Sequence, residues 1–313
     1  MRAVVLREYG SPEVLAIEQV PAPEPIPTEV QVRVHAAGVN PVDCKTRAGA
    51  GVAGVLGEPP VRLGWDVSGV VTEVGAGVTR FRVGDEVFGM PWFPRQAGAY
   101  AEYVTAPSRH FAGKPHALSH EEAGALPLAG LTAWQIVVET IQLQAGDDVL
   151  VHGAGGGVGH LAVQIAKARG ANVIATARAE QADWLRALGA DQVIDYQAER
   201  FEDLVADLDA VIDFPGSYGE RSLPVLRPGG MLVSVPSGVP QEVLDLALRS
   251  QRRATGFLVE PDPAGLAGLA HLVESGRLQV KVGRAFDLAD VAEAHRLAEG
   301  GHHGGGKIVL TVD

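Results

Sequence analysis

The chain has 313 residues, 46% of them hydrophobic, with 39 glycines and 20 prolines, a length that builds one large or two ordinary domains with real cores. Its net charge of −12 argues against sequence-independent binding to nucleic acid or to an anionic membrane surface. A single cysteine, Cys44, excludes an intrachain disulfide and a four-cysteine zinc lobe, and no apolar run reaches membrane-spanning length, so a reducing, cytoplasmic setting fits.

Up to about residue 120 the chain reads as β-rich. Ala3 to Leu6 predicts a strand, and Met1 to Val5 reads as its start rather than as a signal peptide. Pro21, Pro23, Pro25 and Pro27 make an extended connector that cannot hold a ladder. Glu29 to His35 alternates through Val30, Val32 and Val34, as a half-buried strand does. Val67 to Val74, Glu86 to Phe88 and Ala99 to Val104 are further strands, with turn chemistry at Gly75-Ala76-Gly77 and Gly84-Asp85. From about 121 to 262 helix and strand alternate. The strands fall at 148–152, 172–176, 192–195, 209–213 and 231–235; helices fall at 121–126, 130–141, 158–169, 180–188 and 219–226. Such alternation predicts an α/β fold with a doubly wound parallel sheet. Beyond 263 come an amphipathic helix (Leu266, Leu269, Leu272, Val273), a strand near Leu278 to Val282, a helix from Leu288 to Ala298 and a final strand from Lys307 to Val312. His302-His303, followed by Gly304-Gly305-Gly306, reads as a turn rather than a metal site.

The chemistry concentrates between Asp148 and Arg178. A short apolar strand runs into Gly153-Ala154-Gly155-Gly156-Gly157-Val158-Gly159, and a helix follows with Leu161, Ile165 and Ala168 on one face. Glycine lets the backbone approach a pyrophosphate, and the N-terminal end of a helix favours an anion. Ala154-x-Gly156-x-x-Gly159 is the nearest fit to the dinucleotide fingerprint, with alanine for its first glycine, and it stands in the strand–turn–helix context the motif requires. An NAD site places a carboxylate at the tip of the second strand. Here that strand ends Ala175-Thr176-Ala177-Arg178, with Glu180 two residues further on. A hydroxyl and a guanidinium suit the extra phosphate of NADPH.

In order along the chain, Ala37-Gly38-Val39-Asn40-Pro41-Val42-Asp43, Gly64-Trp65-Asp66-Val67-Ser68-Gly69, Gly84-Asp85-Glu86-Val87-Phe88-Gly89, Gly98 to Tyr103, Leu126 to Ala133, the glycine turn, Leu188-Gly189-Ala190-Asp191 with Asp195-Tyr196, and Gly306 to Leu310 resemble the medium-chain dehydrogenase/reductase superfamily. Within it the chain is similar to the zinc-free quinone oxidoreductase branch, which includes the zeta-crystallin and enone reductase-like proteins. The resemblance implies a GroES-like β-rich substrate domain (1–122), a Rossmann NADPH-binding domain (123–262) and a C-terminal return to the first domain (263–313). It also implies a homodimer. Zinc-dependent relatives carry cysteine where this chain has Asn40 and a His-Glu pair where it has Trp65-Asp66, so the resemblance implies no metal.

Without a Lewis acid the feasible reaction is hydride transfer from NADPH to a conjugated acceptor, a quinone or an α,β-unsaturated carbonyl, with a hydrogen-bond donor near the acceptor oxygen. The alternatives are a pathway-specific enoyl reductase acting on a thioester, and a non-catalytic NADPH-binding regulator. Gly156, Gly157, Val158 and Gly159 are expected to hold the pyrophosphate, Thr176 and Arg178 the 2′-phosphate, and Tyr196 the adenosine-phosphate end. Thr132 is expected at the nicotinamide ribose or the diphosphate. Asn40 and Asp43 are expected on the nicotinamide side of the cleft, with Lys45 as a donor to the ribose or to an enolate and Lys307 closing over cofactor or cleft. Asp43 reads equally as a turn residue accepting backbone amides, and Lys45 equally as a solvated side chain. Trp65, Trp92 and Phe93 read either as a flat aromatic wall or as core.

Overall fold

The computed structural model describes residues 1–235, 238–301 and 305–312. His302, His303 and Gly304 therefore lie outside the described residues. Fifteen strands occur among those described: β1 (Arg2–Leu6), β2 (Leu15–Gln19), β3 (Glu29–Val39), β4 (Val67–Val74), β5 (Glu86–Gly89), β6 (Tyr103–Pro107), β7 (Phe111–Gly113), β8 (Asp148–His152), β9 (Asn172–Ala177), β10 (Gln192–Asp195), β11 (Leu208–Asp213), β12 (Leu226–Ser234), β13 (Arg253–Gly256), β14 (Val282–Asp287) and β15 (Lys307–Thr311). They belong to two compact units. The first comprises Met1–Leu131, Glu260–Gly276 and Val280–Asp313; the second comprises Thr132–Val259 and Arg277–Gln279.

In the first unit a seven-stranded sheet runs in the order β14-β15-β3-β4-β5-β7, with β6 also paired to β3, and β1 and β2 form a separate antiparallel pair. The spine is β3. Its first half alternates as the sequence predicts, with Val30, Val32 and Val34 buried. It continues past His35 to Val39 because β15 pairs antiparallel along its edge at Ala36–Val39, where consecutive residues are buried; on one face a Cβ on Gly124 of the helix His120–Ala125 would stand 2.8 Å from the Ala36 carbonyl. Alternation disappears when both faces are buried, so periodicity ends the strand too early.

Three further departures have local causes. The strand expected at Ala99 to Val104 lies at Tyr103–Pro107, because the Ala99 and Tyr100 amides donate instead to Gly64 and Leu63 carbonyls at 3.1 and 3.2 Å. The strand expected near Leu278 to Val282 is β14, beginning only at Val282. Gln279 is tied to the second unit by a reciprocal pair with Gln164, Nε2 donating to its carbonyl at 3.0 Å and its amide donating to Oε1 at 2.8 Å. A helix at Pro41–Arg47 was not expected at all. Asn40 as N-cap, proline at the first position and Asp43 accepting the Asn40 amide at 2.8 Å are ordinary start signals. Buried Asp43, Thr46 and Arg47 hide its amphipathic pattern.

The second unit carries an all-parallel sheet in the order β10-β9-β8-β11-β12-β13, the doubly wound order in which strand sequence reverses between β8 and β11. Leu150, Ile194, Phe201, Val211, Leu223 and Leu232 pack one core, each burial contributing roughly 1.5–3 kcal/mol. The sixth strand, β13, and the helix Gln241–Arg249 before it went unforeseen, since Arg253-Ala254-Thr255-Gly256 has no apolar alternation. The chain passes between units at 131/132, 259/260, 276/277 and 279/280, where passages at 122/123 and 262/263 were expected. The first passage falls inside the helix Pro127–Trp134, which runs on as a π-helical turn Gln135–Thr140 and so offers no break in composition.

Candidate active site

In the second unit the glycine turn follows β8 directly, and the helix Gly159–Ala168 points its N-terminal end at it. Gly153 takes a φ of +70°, and the Gly156 amide closes the turn on the Gly153 carbonyl at 3.0 Å. Gly159 is glycine by necessity: a Cβ there would fall on the Gly153 carbonyl and 2.7 Å from Ala154 Cα. At Gly155 the space is occupied by the Gln181 carboxamide, whose Nε2 donates to the Gly155 carbonyl at 3.3 Å. His160 Nδ1 donates to the Gly156 carbonyl at 2.9 Å. Gly156 is exposed, and Gly157 and Val158 are half-buried, so the rim of the turn is open to an anion.

Just beyond the tips of β9 and β10, Arg178 Nε donates to the Tyr196 hydroxyl at 3.2 Å, and both side chains are partly exposed. Glu180 lies 3.9 Å from the guanidinium, at the margin of an ion pair. Thr176 does not join them. It is buried, and its hydroxyl meets His152 Nδ1 at 3.0 Å. Ser222 gives its one proton to the Tyr218 carbonyl at 2.7 Å, so His152 Nε2 must carry the proton it shares with Ser222 at 3.2 Å, and Nδ1 accepts from Thr176. The Thr176 proton is thereby spent, which removes Thr176 as a donor to the 2′-phosphate. His152, stacked on Tyr218 at 4.4 Å, is neutral: burial, with Arg221 adding to it, holds its pKa down at about 3. Thr132 is buried in the helix Pro127–Trp134.

In the first unit four charged or amide side chains share one dry cluster. Asn40, Asp43, Asp66 and Lys307 are all at most 4% exposed. Asn40 Nδ2 donates to Asp66 Oδ2 at 2.8 Å, and Asn40 Oδ1 accepts from Lys307 Nζ. Lys307 stands 3.7 Å from Asp66 Oδ2, whose other oxygen accepts the Leu128 amide at 2.6 Å. Asp43 accepts backbone amides from Asn40 at 2.8 Å and Gly64 at 3.1 Å, the second of its two sequence readings. Burial pushes Asp43 up to about 7, with Asp66 adding to it, pushes Asp66 upward and pushes Lys307 downward; the lysine opposes the shifts of the carboxylates, and the carboxylates oppose that of the lysine. Lys307 is thus turned into the unit rather than toward a phosphate, whereas Lys45, two residues past Asp43, is exposed. Trp65 and Phe93 are core, edge to face at 5.4 Å, with Trp65 Nε1 donating to the Arg95 carbonyl at 2.7 Å. His152 and Asp66 were missed as site residues, and of the two only Asp66, inside the Gly64–Gly69 motif, carried a signal; Gln181 stands where the resemblance often places a lysine.

The donor set does not suit zinc. Asn40 and Trp65 spend their polar atoms on protein partners, and burial drives the Cys44 thiol up to about 12. Among the described residues no group of three or more histidine, cysteine, aspartate or glutamate side chains could hold a metal ion. No described helix is long and apolar enough to cross a membrane.

Residues 26–116 match the alcohol dehydrogenase GroES-like domain, and residues 188–310 match the zinc-binding dehydrogenase domain. The chain is 32% identical to the mitochondrial NAD(P)H oxidoreductase RTN4IP1 of Danio rerio, over 100% of this chain and 92% of that protein. It is 35% identical to the chloroplastic NADPH-dependent alkenal/one oxidoreductase of Arabidopsis thaliana, over 100% of this chain and 80% of the relative. Among solved structures it superposes on the quinone oxidoreductase from Coxiella burnetii with a TM-score of 0.94 and 40% identity, covering 100% of this chain and 99% of that one. These likenesses identify the chain as a member of the zinc-free quinone oxidoreductase branch of the medium-chain dehydrogenase/reductase superfamily.

Proposed function

We propose that this protein is an NADPH-dependent, zinc-independent oxidoreductase that transfers hydride to a quinone or to the β-carbon of an α,β-unsaturated carbonyl. The observation that carries the reading is the Arg178–Tyr196 pair beyond a strand that ends in Ala177 rather than in a carboxylate. It is supported by relatives named for alkenal/one and quinone reduction. NADPH, when bound, supplies the hydride. Gly156, Gly157, Val158 and Gly159 receive the pyrophosphate, Arg178 pairs the 2′-phosphate, Tyr196 lines the adenosine end, and Thr132 attends the ribose. Asn40, held by Asp43 and Asp66, and the exposed Lys45 provide hydrogen-bond donors for the charge that builds on the acceptor oxygen. Conjugation spreads that charge, so a donor of this kind serves where an alkoxide would demand a metal.

The protein works as a homodimer in the cytoplasm on this reading. β13 ends its sheet, and Leu248 and Leu258 nearby are 79% and 60% exposed, an apolar edge suited to a second copy. The buried free thiol of Cys44 suits a reducing compartment. The test is to titrate metal-analysed protein with NADPH and NADH by cofactor fluorescence, then to follow NADPH oxidation with 1,4-benzoquinone and methyl vinyl ketone. Tighter NADPH binding and turnover of at least one acceptor are expected. Preference for NADH, one zinc per chain, or bound NADPH that is never oxidised would each overturn the reading.

A further inference from the structure

We propose that Lys307 is a positioning residue that acts through Asn40: together with Asp66 it fixes the orientation and the polarity of the Asn40 carboxamide. What Asn40 then does rests on the function proposed above; the geometry does not. The two ends of the carboxamide face opposite charges, Oδ1 the Lys307 ammonium and Nδ2 the Asp66 carboxylate. Turning the amide over would set its protons against an ammonium and its oxygen against a carboxylate, so one of the two orientations is excluded. Both charges are anchored by backbone. Asp66 takes the Leu128 amide, and Gly38 leaves room for its carboxylate, since a Cβ there would collide with Oδ2. Lys307 is the first residue of β15, and its Nζ also lies 3.5 Å from the Val39 carbonyl.

A carboxamide whose oxygen accepts from a cation loses electron density at nitrogen, so its N–H groups become stronger donors. Asp66 takes one Nδ2 proton. On this proposal the other serves the ligand, and in these dry surroundings a hydrogen bond to a developing anion is worth more than in water. The ionisable groups facing Lys307 are Asp66 and Asp43, and Tyr100 faces Asp43 in turn. The nearest cation to the Asn40 oxygen is thus inside the protein, and it is not available to cofactor phosphates.

The experiment is a double-mutant cycle on the whole chain with Lys307→Met, Asn40→Ser and both together, measuring kcat with the best acceptor and the NADPH Kd. Lys307→Met should lower kcat about tenfold or more, leave the NADPH Kd within about twofold, and add nothing in the Asn40→Ser background. Asp66→Asn/Lys307→Met, which removes the Lys307–Asp66 pair together rather than stranding the Asp66 carboxylate, guards against a folding failure and should show the same loss of kcat. Additive losses in the cycle, or a steep rise in NADPH Kd, would overturn the proposal, the latter returning Lys307 to the phosphates. If the wild-type protein turns over no acceptor, the functional reading falls by itself. The Asn40 side-chain amide protons then decide by NMR. Two well-separated, slowly exchanging signals that collapse in Lys307→Met support the positioning role, and signals unchanged by the substitution end it.

Discussion

Replacing His295 by phenylalanine should remove much of the acid sensitivity of the first unit. His295 sits in the helix Val291–Gly300, fully buried, with its ring edge to face with Tyr100 at 5.9 Å. Neither ring nitrogen has a hydrogen-bond partner among the described residues. Burial first, and the Arg47 charge second, lower its pKa from 6.5 to about 3. The folded state therefore refuses a proton that the unfolded chain accepts. Stability from this group is present above 6.5 and is lost as pH falls toward 3. At about 1.4 kcal/mol per pH unit, the loss at pH 5 is about 2 kcal/mol, rising to about 4–5 kcal/mol near pH 3. Phenylalanine cannot protonate, and it also removes two polar atoms that were buried unpaired, so stability at pH 7 should hold or rise by about 1 kcal/mol. Urea unfolding of wild type and His295→Phe at pH 7 and pH 5, followed by circular dichroism, measures both effects. The difference between the two pH values should shrink by about 2 kcal/mol in the variant. An identical pH dependence in the two proteins would show that the histidine is hydrated or paired in solution and that the reasoning is wrong.

Other outcomes follow from the same geometry. Arg178→Ala should weaken NADPH binding about 10- to 100-fold while leaving NADH within about twofold, as read by cofactor fluorescence; an equal loss for both cofactors would detach Arg178 from the 2′-phosphate. Gly159→Ala should weaken both cofactors alike and cost the second unit about 1–3 kcal/mol in urea unfolding, since its Cβ meets the Gly153 carbonyl. Asp43 behaves oppositely to His295. Its folded pKa is raised from 3.8 to about 7, so the stability it lends is complete below 3.8 and is lost as pH rises through 7. Asp43→Asn should flatten the stability slope across that window, the slope rather than the absolute value being diagnostic; an unchanged slope would mean that the carboxyl is already ionised when folded.

The cofactor end of the chain was the more legible. A glycine turn between an apolar strand and a periodic helix has few physical meanings, and Arg178 follows from it by counting to the tip of the next strand, whereas Tyr196 came from the resemblance alone. The cluster around Asn40 was legible only as residue types at motif positions. The resemblance placed Asn40 and Asp43 together through one motif, but nothing local shows that Asp66 and Lys307 reach the same point from distant segments. Polar residues that are fully buried are the common cause of error. Thr176 and Lys307 both read from sequence as facing the ligand, and in each case an internal partner takes the polar group instead; buried polar residues likewise hid the helix Pro41–Arg47. His152 and His295 gave no sign in sequence that they belong to the core.

The pairing of β15 with β3 has a consequence for synthesis. Translation delivers domains from the N-terminus at about 5–20 residues per second. The main segment of the second unit, Thr132–Val259, is complete well before Lys307 is made. The first unit is begun earliest and finished last: β3 lacks its β15 neighbour, and Asn40 and Asp66 lack their cation, until the final strand arrives. During that interval the Ala36–Val39 stretch is an open, apolar sheet edge, the kind of surface that draws other chains. A ribosome that stalls late on this message therefore releases a chain with a finished nucleotide unit and an exposed, charge-unbalanced partner, a product marked for chaperones or proteases by its missing strand.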